Sequence, residues 1–274
     1  MADIPGPLII IGGHEDKTGE RVILKAVAER LNGGKLVVAT VASHQPEGYF
    51  DSYRDAFSDL GVSDLVELYV QDRSQSQVDA ALAVLDGAAG VFFSGGDQLR
   101  ISSQIGDTAV DRRIRELHQA GGVIAGTSAG ASVMSETMLV KGASSESYRI
   151  GELRMAPGLG LVRDVIIDQH FAERGRYGRL VGAVAHNPRL LGVGIDENTA
   201  IVVENGAFKV IGSGAVYIVD GKEASHSNIA EARPERALSM FDLRMHVLSS
   251  GDCFGLETRR PSAGKHEEGS RPAR

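Results

Sequence analysis

The segment Gly126-Thr127-Ser128-Ala129-Gly130 fits the pattern G-x-S-x-G and is a clear candidate for chemistry. An apolar run at 123–125 precedes it and small residues follow, which predicts a buried strand, a sharp turn and an immediate helix start. A serine at the apex of such a turn has an exposed hydroxyl. Its own N–H and the next one lie at a helix N-terminus, where negative charge is stabilised. Ser128 is therefore a candidate nucleophile, and the alternative is a plain strand-to-helix connection.

A serine nucleophile needs a base within hydrogen-bond reach and a third group that orients the base. His170 stands near the end of a predicted strand at 161–171, and Asp196 and Glu197 close the next predicted strand at 190–197. Neighbouring strand residues point to opposite sides, so only one of the two acids faces the site. The residues alone leave that choice open. The chain order Ser–His–acid differs from the Ser–acid–His order of α/β-hydrolases.

Acyl transfer also needs backbone N–H donors aimed at the developing negative charge. The N–H of Ala129 directly follows the candidate nucleophile. A second donor is expected from Ser94-Gly95-Gly96, where glycine lets the backbone approach closely, and Gly95 is the better candidate. A simple tight turn at this place is the alternative interpretation.

Three arginines follow His170 within a few residues, namely Arg174, Arg176 and Arg179. Guanidinium groups beside a candidate base favour recognition of carboxylates or carbonyls. A solvated start of a helix is the alternative. Further polar side chains that could contact a ligand are Gln98, Asp168 and Gln169. A carboxylate such as that of Asp168 could pair with a basic group of the ligand.

Strand and helix patterns alternate along the first half of the chain. The predicted strands lie at 7–13, 35–43, 65–70, 90–96 and 122–126. The predicted helices lie at 20–31, 49–60, 78–85, 97–105 and 109–119. The alternation predicts an α/β fold with a doubly wound, mostly parallel sheet and helices on both faces. Ligands bind at the carboxyl ends of such strands, where this chain has Gly12-Gly13-His14-Glu15, Ser43-His44, Ser94-Gly95-Gly96-Asp97-Gln98 and Thr127-Ser128.

The second half of the chain predicts an antiparallel extension of this sheet. A helix at 174–187 separates the two later strands, and a polar loop is expected at 141–148. Antiparallel strands are expected at 199–203, 208–211 and 216–219, with Asn205-Gly206 as a hairpin turn and one more element at 240–248. We expect a single α/β domain over 1–258 and a disordered tail over 259–274, where the composition is polar and charged.

Composition argues against several classes of function. The formal net charge of -7 disfavours nucleic acid and anionic membranes as partners. The single cysteine, Cys253, excludes an intrachain disulfide and a multi-cysteine metal site. The scattered histidines do not predict a metal site, and the chain has no P-loop. The N-terminus lacks the pattern of a signal peptide or a membrane span, so we expect a cytoplasmic protein.

Taken together and in order, these motifs resemble the cyanophycinase family, a group of serine peptidases related to aspartyl dipeptidase. The resemblance covers approximately residues 7–225 and is weakest beyond them. It depends on Ser94-Gly95-Gly96-Asp97-Gln98, Gly126-Thr127-Ser128-Ala129-Gly130-Ala131, Asp168-Gln169-His170-Phe171 with the three arginines, and Gly194-Ile195-Asp196-Glu197. It implies a fold like that of class I glutamine amidotransferases, which is related to flavodoxin-like sheets, and it favours Glu197 over Asp196.

The resemblance further implies hydrolysis of cyanophycin, a poly-aspartate with arginine on each side-chain carboxyl, to β-Asp-Arg dipeptides. Ser128 would be the nucleophile, His170 the general base and then acid, and Glu197 its orienting acid. Gly95 and Ala129 would supply the oxyanion donors. The residues that would bind substrate are Gln98, Asp168, Gln169, Arg174, Arg176 and Arg179. The resemblance implies a homodimer. It implies no cofactor and no metal. The alternatives are an α-aspartyl dipeptidase and a noncatalytic binding protein of the same fold.

Overall fold

The computed structural model describes residues 4–43, 47–142, 148–230 and 236–264 of the chain. Its strands are β1 (Leu8–Ile11), β2 (Lys35–Ala39), β3 (Leu65–Leu68), β4 (Ala88–Phe93), β5 (Val123–Thr127), β6 (Thr137–Lys141), β7 (Arg154–Pro157), β8 (Val165–Gln169), β9 (Leu191–Ile195), β10 (Thr199–Glu204), β11 (Ala207–Gly212), β12 (Val216–Asp220), β13 (His226–Ser227), β14 (Met240–Phe241), β15 (Arg244–Leu248), β16 (Cys253–Gly255) and β17 (Arg260–Ser262). Its helices are α1 (Val22–Arg30), α2 (Tyr49–Ser58), α3 (Asp79–Leu85), α4 (Gln98–Ile105), α5 (Ala109–Gln119), α6 (Ala129–Ser132) and α7 (Tyr177–His186), with a 3₁₀ turn at Arg73–Gln77.

The main sheet has nine strands in the order β17-β16-β11-β10-β1-β5-β4-β2-β3. The half from β1 to β3 is parallel. The half from β10 to β17 is antiparallel. This sheet confirms the predicted α/β class, with parallel strands connected by helices. Its antiparallel extension contains the expected strands at 199–203 and 208–211 as β10 and β11, but the strand expected at 216–219 is β12 and belongs to a different sheet.

Alternation along β1 shows how the sheet divides the core. Ile9 and Ile11 belong to a cluster with side chains of α1 and α2 on one face. Leu8 and Ile10 belong to the cluster on the other face, with side chains of α4 and α5. Both faces are therefore covered by helices, as the continuous apolar runs of the parallel strands predicted. Burying each of these side chains stabilises the fold by about 1.5–3 kcal/mol.

The strands that end just before His170 and Glu197 belong to a second sheet. β8 and β9 pair in parallel, and β9 continues to β12 and β15 in the order β15-β12-β9-β8. One face of this sheet joins the core of the main sheet through Val193 and Ile195. The other face packs against Leu180 and Val184 of α7. The strand patterns in the sequence do not reveal this division, because a strand buried on both faces has the same pattern in either sheet.

The first residues of the expected disordered tail are ordered. β17 pairs antiparallel with β16, and the Arg259 guanidinium lies 2.5 Å from the Asp220 carboxylate. A polar segment thus gains order from a sheet edge and an ion pair, which composition alone does not predict. The expected tail at 265–274, His44 and most of the expected loop at 141–148 lie outside the described residues. The element expected at 240–248 corresponds to β14 and β15. Over the described ranges, no helix combines the length and hydropathy needed to cross a membrane.

Candidate active site

The turn at Ser128 has the conformation that the G-x-S-x-G pattern predicts. β5 ends at Thr127, α6 begins at Ala129, and Ser128 between them has φ 53° and ψ −109°. This positive φ is unfavourable for a non-glycine residue, and such strain is typical of a nucleophile elbow. A Cβ on Gly126 would lie 2.5 Å from the Gly130 carbonyl oxygen, so the strand and the helix can meet this closely only without that side chain.

Ser128, His170 and Glu197 form a continuous chain of contacts. Ser128 Oγ lies 2.9 Å from His170 Nε2, and His170 Nδ1 lies 2.6 Å from Glu197 Oε1. Because Nδ1 faces a carboxylate, it carries the proton of the neutral ring, and Nε2 is left to accept the hydroxyl hydrogen of Ser128. A nucleophile, a base and an orienting acid need these contacts.

The end of β1 holds the imidazole ring in place. The His170 N–H donates to the Gly12 carbonyl oxygen at 2.8 Å. Gly13 has φ 108°, and a Cβ at that position would lie 2.3 Å from His170 Cε1. Any side chain at Gly13 would displace the ring, so a glycine at this place is needed for the position of the candidate base.

Burial and nearby charges shift the pKa values of the candidate base and acid. Burial lowers the pKa of His170, and the Arg174 charge lowers it further, while the Glu197 hydrogen bond opposes both. Desolvation acts to raise the pKa of Glu197, but hydrogen bonds from His170 and His14 outweigh it, so the pKa lies below its usual value. At neutral pH, His170 is therefore a free base and Glu197 is ionised.

The structure separates the two candidate acids. Asp196 is buried, and its Oδ1 accepts the N–H of Ala172 at 2.9 Å while its Oδ2 accepts the N–H of Ala215 at 3.1 Å. Glu197 meets His170 instead. Both acids follow the last residue of β9, so their separation is made by the turn after the strand and not by alternation within it. Only one of the two acids faces the site, and Asp196 holds the backbone of two neighbouring segments.

The backbone of the two expected oxyanion donors lies beside the serine. A Cβ built on Gly95 would be 3.6 Å from Ser128 Cβ, and Ala129 is the fully buried first residue of α6. The N–H of Ser128 itself donates to the Ile11 carbonyl oxygen at 3.0 Å. It is therefore engaged in the sheet, in contrast to the expectation that it helps to stabilise negative charge.

The three arginines after β8 have different surroundings. Asp168 is completely buried and receives Arg179 Nε at 2.8 Å and Arg176 Nη1 at 3.1 Å. Arg176 also contacts Gln169 Oε1 at 3.2 Å, and Arg176 and Arg179 are both buried. Arg174 is exposed. The Asp168 charge is thus balanced inside the protein, and substrate binding by Asp168, Arg176 and Arg179 stays a prediction.

The remaining predicted substrate residue, Gln98, begins α4, and its Nε2 donates to the Leu139 carbonyl oxygen at 2.8 Å. A pocket of about 270 Å³ contains the candidate nucleophile. It is lined by His14, Glu15, Lys17, Tyr49, Tyr53, Gly95, Gly96, Thr127, Ser128, His170 and Arg174. Larger pockets on the molecule contain none of Ser128, His170 and Glu197. The pocket that contains the candidate nucleophile is therefore small and polar.

This pocket also contains the buried carboxylate of Glu15, which the sequence placed at a strand end without indicating a role. Glu15 Oε1 accepts the Tyr53 hydroxyl at 2.5 Å, and Glu15 Oε2 accepts the Thr127 hydroxyl at 2.5 Å. Lys17 Nζ lies 3.6 Å from Glu15 Oε1 and 4.5 Å from the centre of the Tyr53 ring. Glu15 thereby ties the end of β1 to the residue before Ser128. Its position just after a predicted parallel strand was the available sign.

His14 was also missed. Its Nδ1 lies 2.8 Å from Glu197 Oε2, and its ring meets the His170 ring edge-on with centroids 5.1 Å apart. Glu197 therefore contacts two imidazoles, one through each oxygen. The sequence does not show this, because the meeting depends on how the ends of β1 and β9 approach each other in two different sheets.

The elbow conformation and the Ser–His–carboxylate contacts are those of hydrolases with a serine nucleophile. Residues 8–211 match the model of peptidase family S51. The chain belongs to peptidase family S51, and the predicted peptidase class is confirmed.

The chain is similar to several cyanophycinases over most of its length. The cyanophycinase of Synechococcus elongatus is 39% identical over 259 residues, which span 93% of this chain and 80% of that protein. The cyanophycinase of Geminocystis herdmanii is 38% identical over 261 residues, which span 94% of this chain and 96% of that protein. The resemblance inferred from the motifs is thereby confirmed.

Solved structures support the same fold. A peptidase from an acI-B1 Actinobacterium aligns with a TM-score of 0.67 at 22% identity and covers 93% of this chain and 98% of its own. A putative peptidase E protein from Listeria monocytogenes aligns with a TM-score of 0.54 at 18% identity and covers 77% of this chain. At these identities the two structures establish the fold and nothing finer.

Proposed function

We propose that the protein is a serine-type exopeptidase that hydrolyses cyanophycin and releases β-Asp-Arg dipeptides. The observation that carries the proposal is identity of 38% to cyanophycinase over 94% of the chain and 96% of that relative. The contacts of Ser128 with His170 and of His170 with Glu197 provide the chemistry for it.

The reaction follows from the order of these contacts. Ser128 Oγ attacks a backbone carbonyl carbon of the substrate while His170 Nε2 takes the hydroxyl proton. The C–N bond then breaks, the leaving amino group takes the proton from His170, and the acyl group remains on Ser128. A water molecule then attacks the carbonyl carbon of this ester while His170 takes a proton from it. The bond from that carbon to Ser128 Oγ breaks, the product leaves as a carboxylic acid, and His170 returns the proton to Ser128 Oγ. Only water is consumed, so the proposed reaction needs no cofactor.

Glu197 and two backbone groups complete the proposed site. Glu197 stabilises the imidazolium that forms when His170 accepts a proton. The N–H groups of Gly95 and Ala129 stabilise the negative oxygen of the tetrahedral intermediate. The low pKa of His170 keeps it a free base at neutral pH, which suits its first step.

A substrate with both carboxylates and guanidiniums requires both signs of charge around the nucleophile. In our proposal, the exposed Arg174 contacts substrate carboxylates directly, and Lys17 lines the same pocket. Gln98, Asp168, Gln169, Arg176 and Arg179 remain assigned to substrate binding. Since Asp168 pairs with Arg176 and Arg179, we assign these three a second role, which is to hold the segment after β8 in position.

We also propose that the protein acts in the cytoplasm as a homodimer. The support for the homodimer is the family resemblance.

The test is to incubate the purified protein with cyanophycin and, separately, with Asp-X dipeptides, and to identify products by chromatography and mass spectrometry. The proposal predicts β-Asp-Arg from the polymer and little cleavage of the dipeptides. The Ser128→Ala protein is the control and should release none. Cleavage of the dipeptides with an intact polymer would instead identify an α-aspartyl dipeptidase. Binding of the polymer without products would indicate a binding protein.

A further inference from the structure

One cluster near the nucleophile has a composition that the peptidase reaction does not require. His14, His170 and Glu197 each offer one ligand atom, and these atoms all lie within 4.8 Å of one another. The two imidazoles approach the same carboxylate through their Nδ1 atoms, His14 at 2.8 Å from one oxygen and His170 at 2.6 Å from the other. Hydrolysis needs the contact with His170 and makes no use of the contact with His14.

We propose that these three side chains form a binding site for a zinc-like divalent cation and that an occupied site switches the peptidase off. Two histidines and one glutamate are a donor set that Zn²⁺ uses in proteins, with one position open to water. Imidazole nitrogen suits zinc and other late transition metals, whereas Mg²⁺ prefers oxygen ligands.

The site can admit an ion by moving its more exposed groups. Two ligands that each lie about 2.0–2.2 Å from one tetrahedral Zn²⁺ are about 3.3–3.6 Å apart. The Nδ1–oxygen contacts of 2.8 Å for His14 and 2.6 Å for His170 must therefore open to let the ion in. The His14 side chain is 71% exposed, against 5% for His170 and 26% for Glu197. His14 therefore moves most easily and the partly exposed Glu197 carboxylate shifts to make room, while the buried His170 stays in place.

Binding of a cation would disable His170 through its tautomer. In the free site, the neutral ring carries its proton on Nδ1 and uses the Nε2 lone pair to accept the Ser128 hydrogen. A cation on Nδ1 needs that lone pair, so the single proton moves to Nε2. Nε2 then donates toward Ser128 Oγ and no longer accepts from it. The number of protons on the ring is unchanged, but the nucleophile has lost its base.

The geometry predicts a particular form of inhibition. His170 Nδ1 faces Glu197, while His170 Nε2 faces Ser128, and His14 lines the same pocket as Ser128. The cation would thus lie on the opposite side of the His170 ring from the reacting Ser128 Oγ. We expect kcat to fall while KM changes little. This inference depends on the proposed function for its activity measurement, and binding is therefore tested separately.

The decisive variant is His14→Asn. His14 has φ 47°, which asparagine tolerates better than most residues, and the amide can still donate to Glu197. It lacks the imidazole nitrogen that would bind the cation. The matched control is His226→Asn, which removes an exposed histidine from β13. Each protein is assayed with cyanophycin at increasing Zn²⁺ or Mg²⁺, relative to its own rate without added metal.

We expect Zn²⁺ but not Mg²⁺ to inhibit the native protein and the His226→Asn protein equally. For His14→Asn, the Zn²⁺ concentration for half inhibition should rise by about tenfold or more, because one of three ligands is lost. Equal inhibition of the native and His14→Asn proteins would overturn the proposal.

Binding is measured on the Ser128→Ala protein, which retains all three donors and needs no turnover. A Zn²⁺ titration against a chelating dye should show one site that the double variant Ser128→Ala/His14→Asn lacks. Absence of that site, or its survival in the double variant, would refute the cation site. A failure of cyanophycin hydrolysis alone would leave this titration interpretable, so the two proposals can fail independently.

Discussion

Two strand ends meet at the candidate site, and they differ in how the chain builds them. The turn after β5 is local, since its glycines, its small residues and the strained Ser128 all lie within a few positions. In the segment after β8, some side chains face the site and others face the protein interior. Its His170 reaches Ser128 and its Arg174 lines the pocket, while Arg176 and Arg179 turn inward to Asp168.

The spacing of residues along the chain thus predicts the chemistry better for the turn after β5 than for the segment after β8. A strand followed by a short helix fixes where a serine at the turn must point. A row of arginines has no such constraint, because the direction of each side chain depends on the charges that the surrounding fold brings near it. The following predictions separate the reacting groups from the groups that only hold them.

The largest effect is expected at the nucleophile. Ser128→Ala should lower the rate of cyanophycin hydrolysis by about 10⁴-fold or more, since the attacking atom is removed. The measurement is β-Asp-Arg release, with polymer binding and thermal unfolding as controls that should be unchanged. Substantial residual turnover would remove Ser128 from the mechanism.

The two adjacent acids should behave differently. Glu197→Gln should lower kcat by about 10³- to 10⁴-fold with native stability, because His170 loses the group that fixes its tautomer. Asp196→Asn should instead lower the free energy of unfolding by about 1–3 kcal/mol, because a buried acceptor of two backbone N–H groups is altered. Kinetics and urea unfolding of both variants check this. An inactive but stable Asp196→Asn protein would show that the roles of the two acids have been exchanged.

The buried arginine should matter for stability. Arg179→Ala should lower the free energy of unfolding by about 3 kcal/mol, since it leaves the buried Asp168 with Arg176 as its remaining ion-pair partner. The exposed Arg174→Ala is the matched control, with a change within about 0.5 kcal/mol. Urea denaturation measures both. A fully stable Arg179→Ala protein that binds substrate poorly would contradict the structural role and leave Arg179 with substrate binding alone.

The smallest effect concerns pH. Burial and the Arg174 charge lower the pKa of His170 from 6.5, so the acid limb of kcat/KM should have its midpoint below pH 6.5. Arg174→Gln removes the positive charge that disfavours the protonated ring, so this midpoint should move to higher pH. A pH series on both proteins tests the sign. A midpoint that moves down or stays would mean that Arg174 does not act on His170.

The sequence was informative where local rules decide the structure. The alternation of strands and helices predicted the parallel half of the main sheet, and Asn205-Gly206 predicted the turn between β10 and β11. The elbow at Ser128 follows from the rule for a strand, a sharp turn and an immediate helix.

What the sequence missed depends on the approach of distant segments. The second sheet, the pairing of Asp168 with Arg176 and Arg179, and the contact of His14 with Glu197 all require tertiary geometry. The sequence shows which charged side chains are present, but their burial in the fold determines which of them form ion pairs.

The most direct test of the account is covalent labelling of Ser128 with a fluorophosphonate, which reacts with activated serines. We predict that peptide mass spectrometry finds the label on Ser128, that cyanophycin slows the labelling, and that His170→Ala abolishes it. The rate of β-Asp-Arg release should fall in proportion to the labelled fraction. A label on another serine, or full cyanophycin hydrolysis by protein labelled at Ser128, would contradict the account.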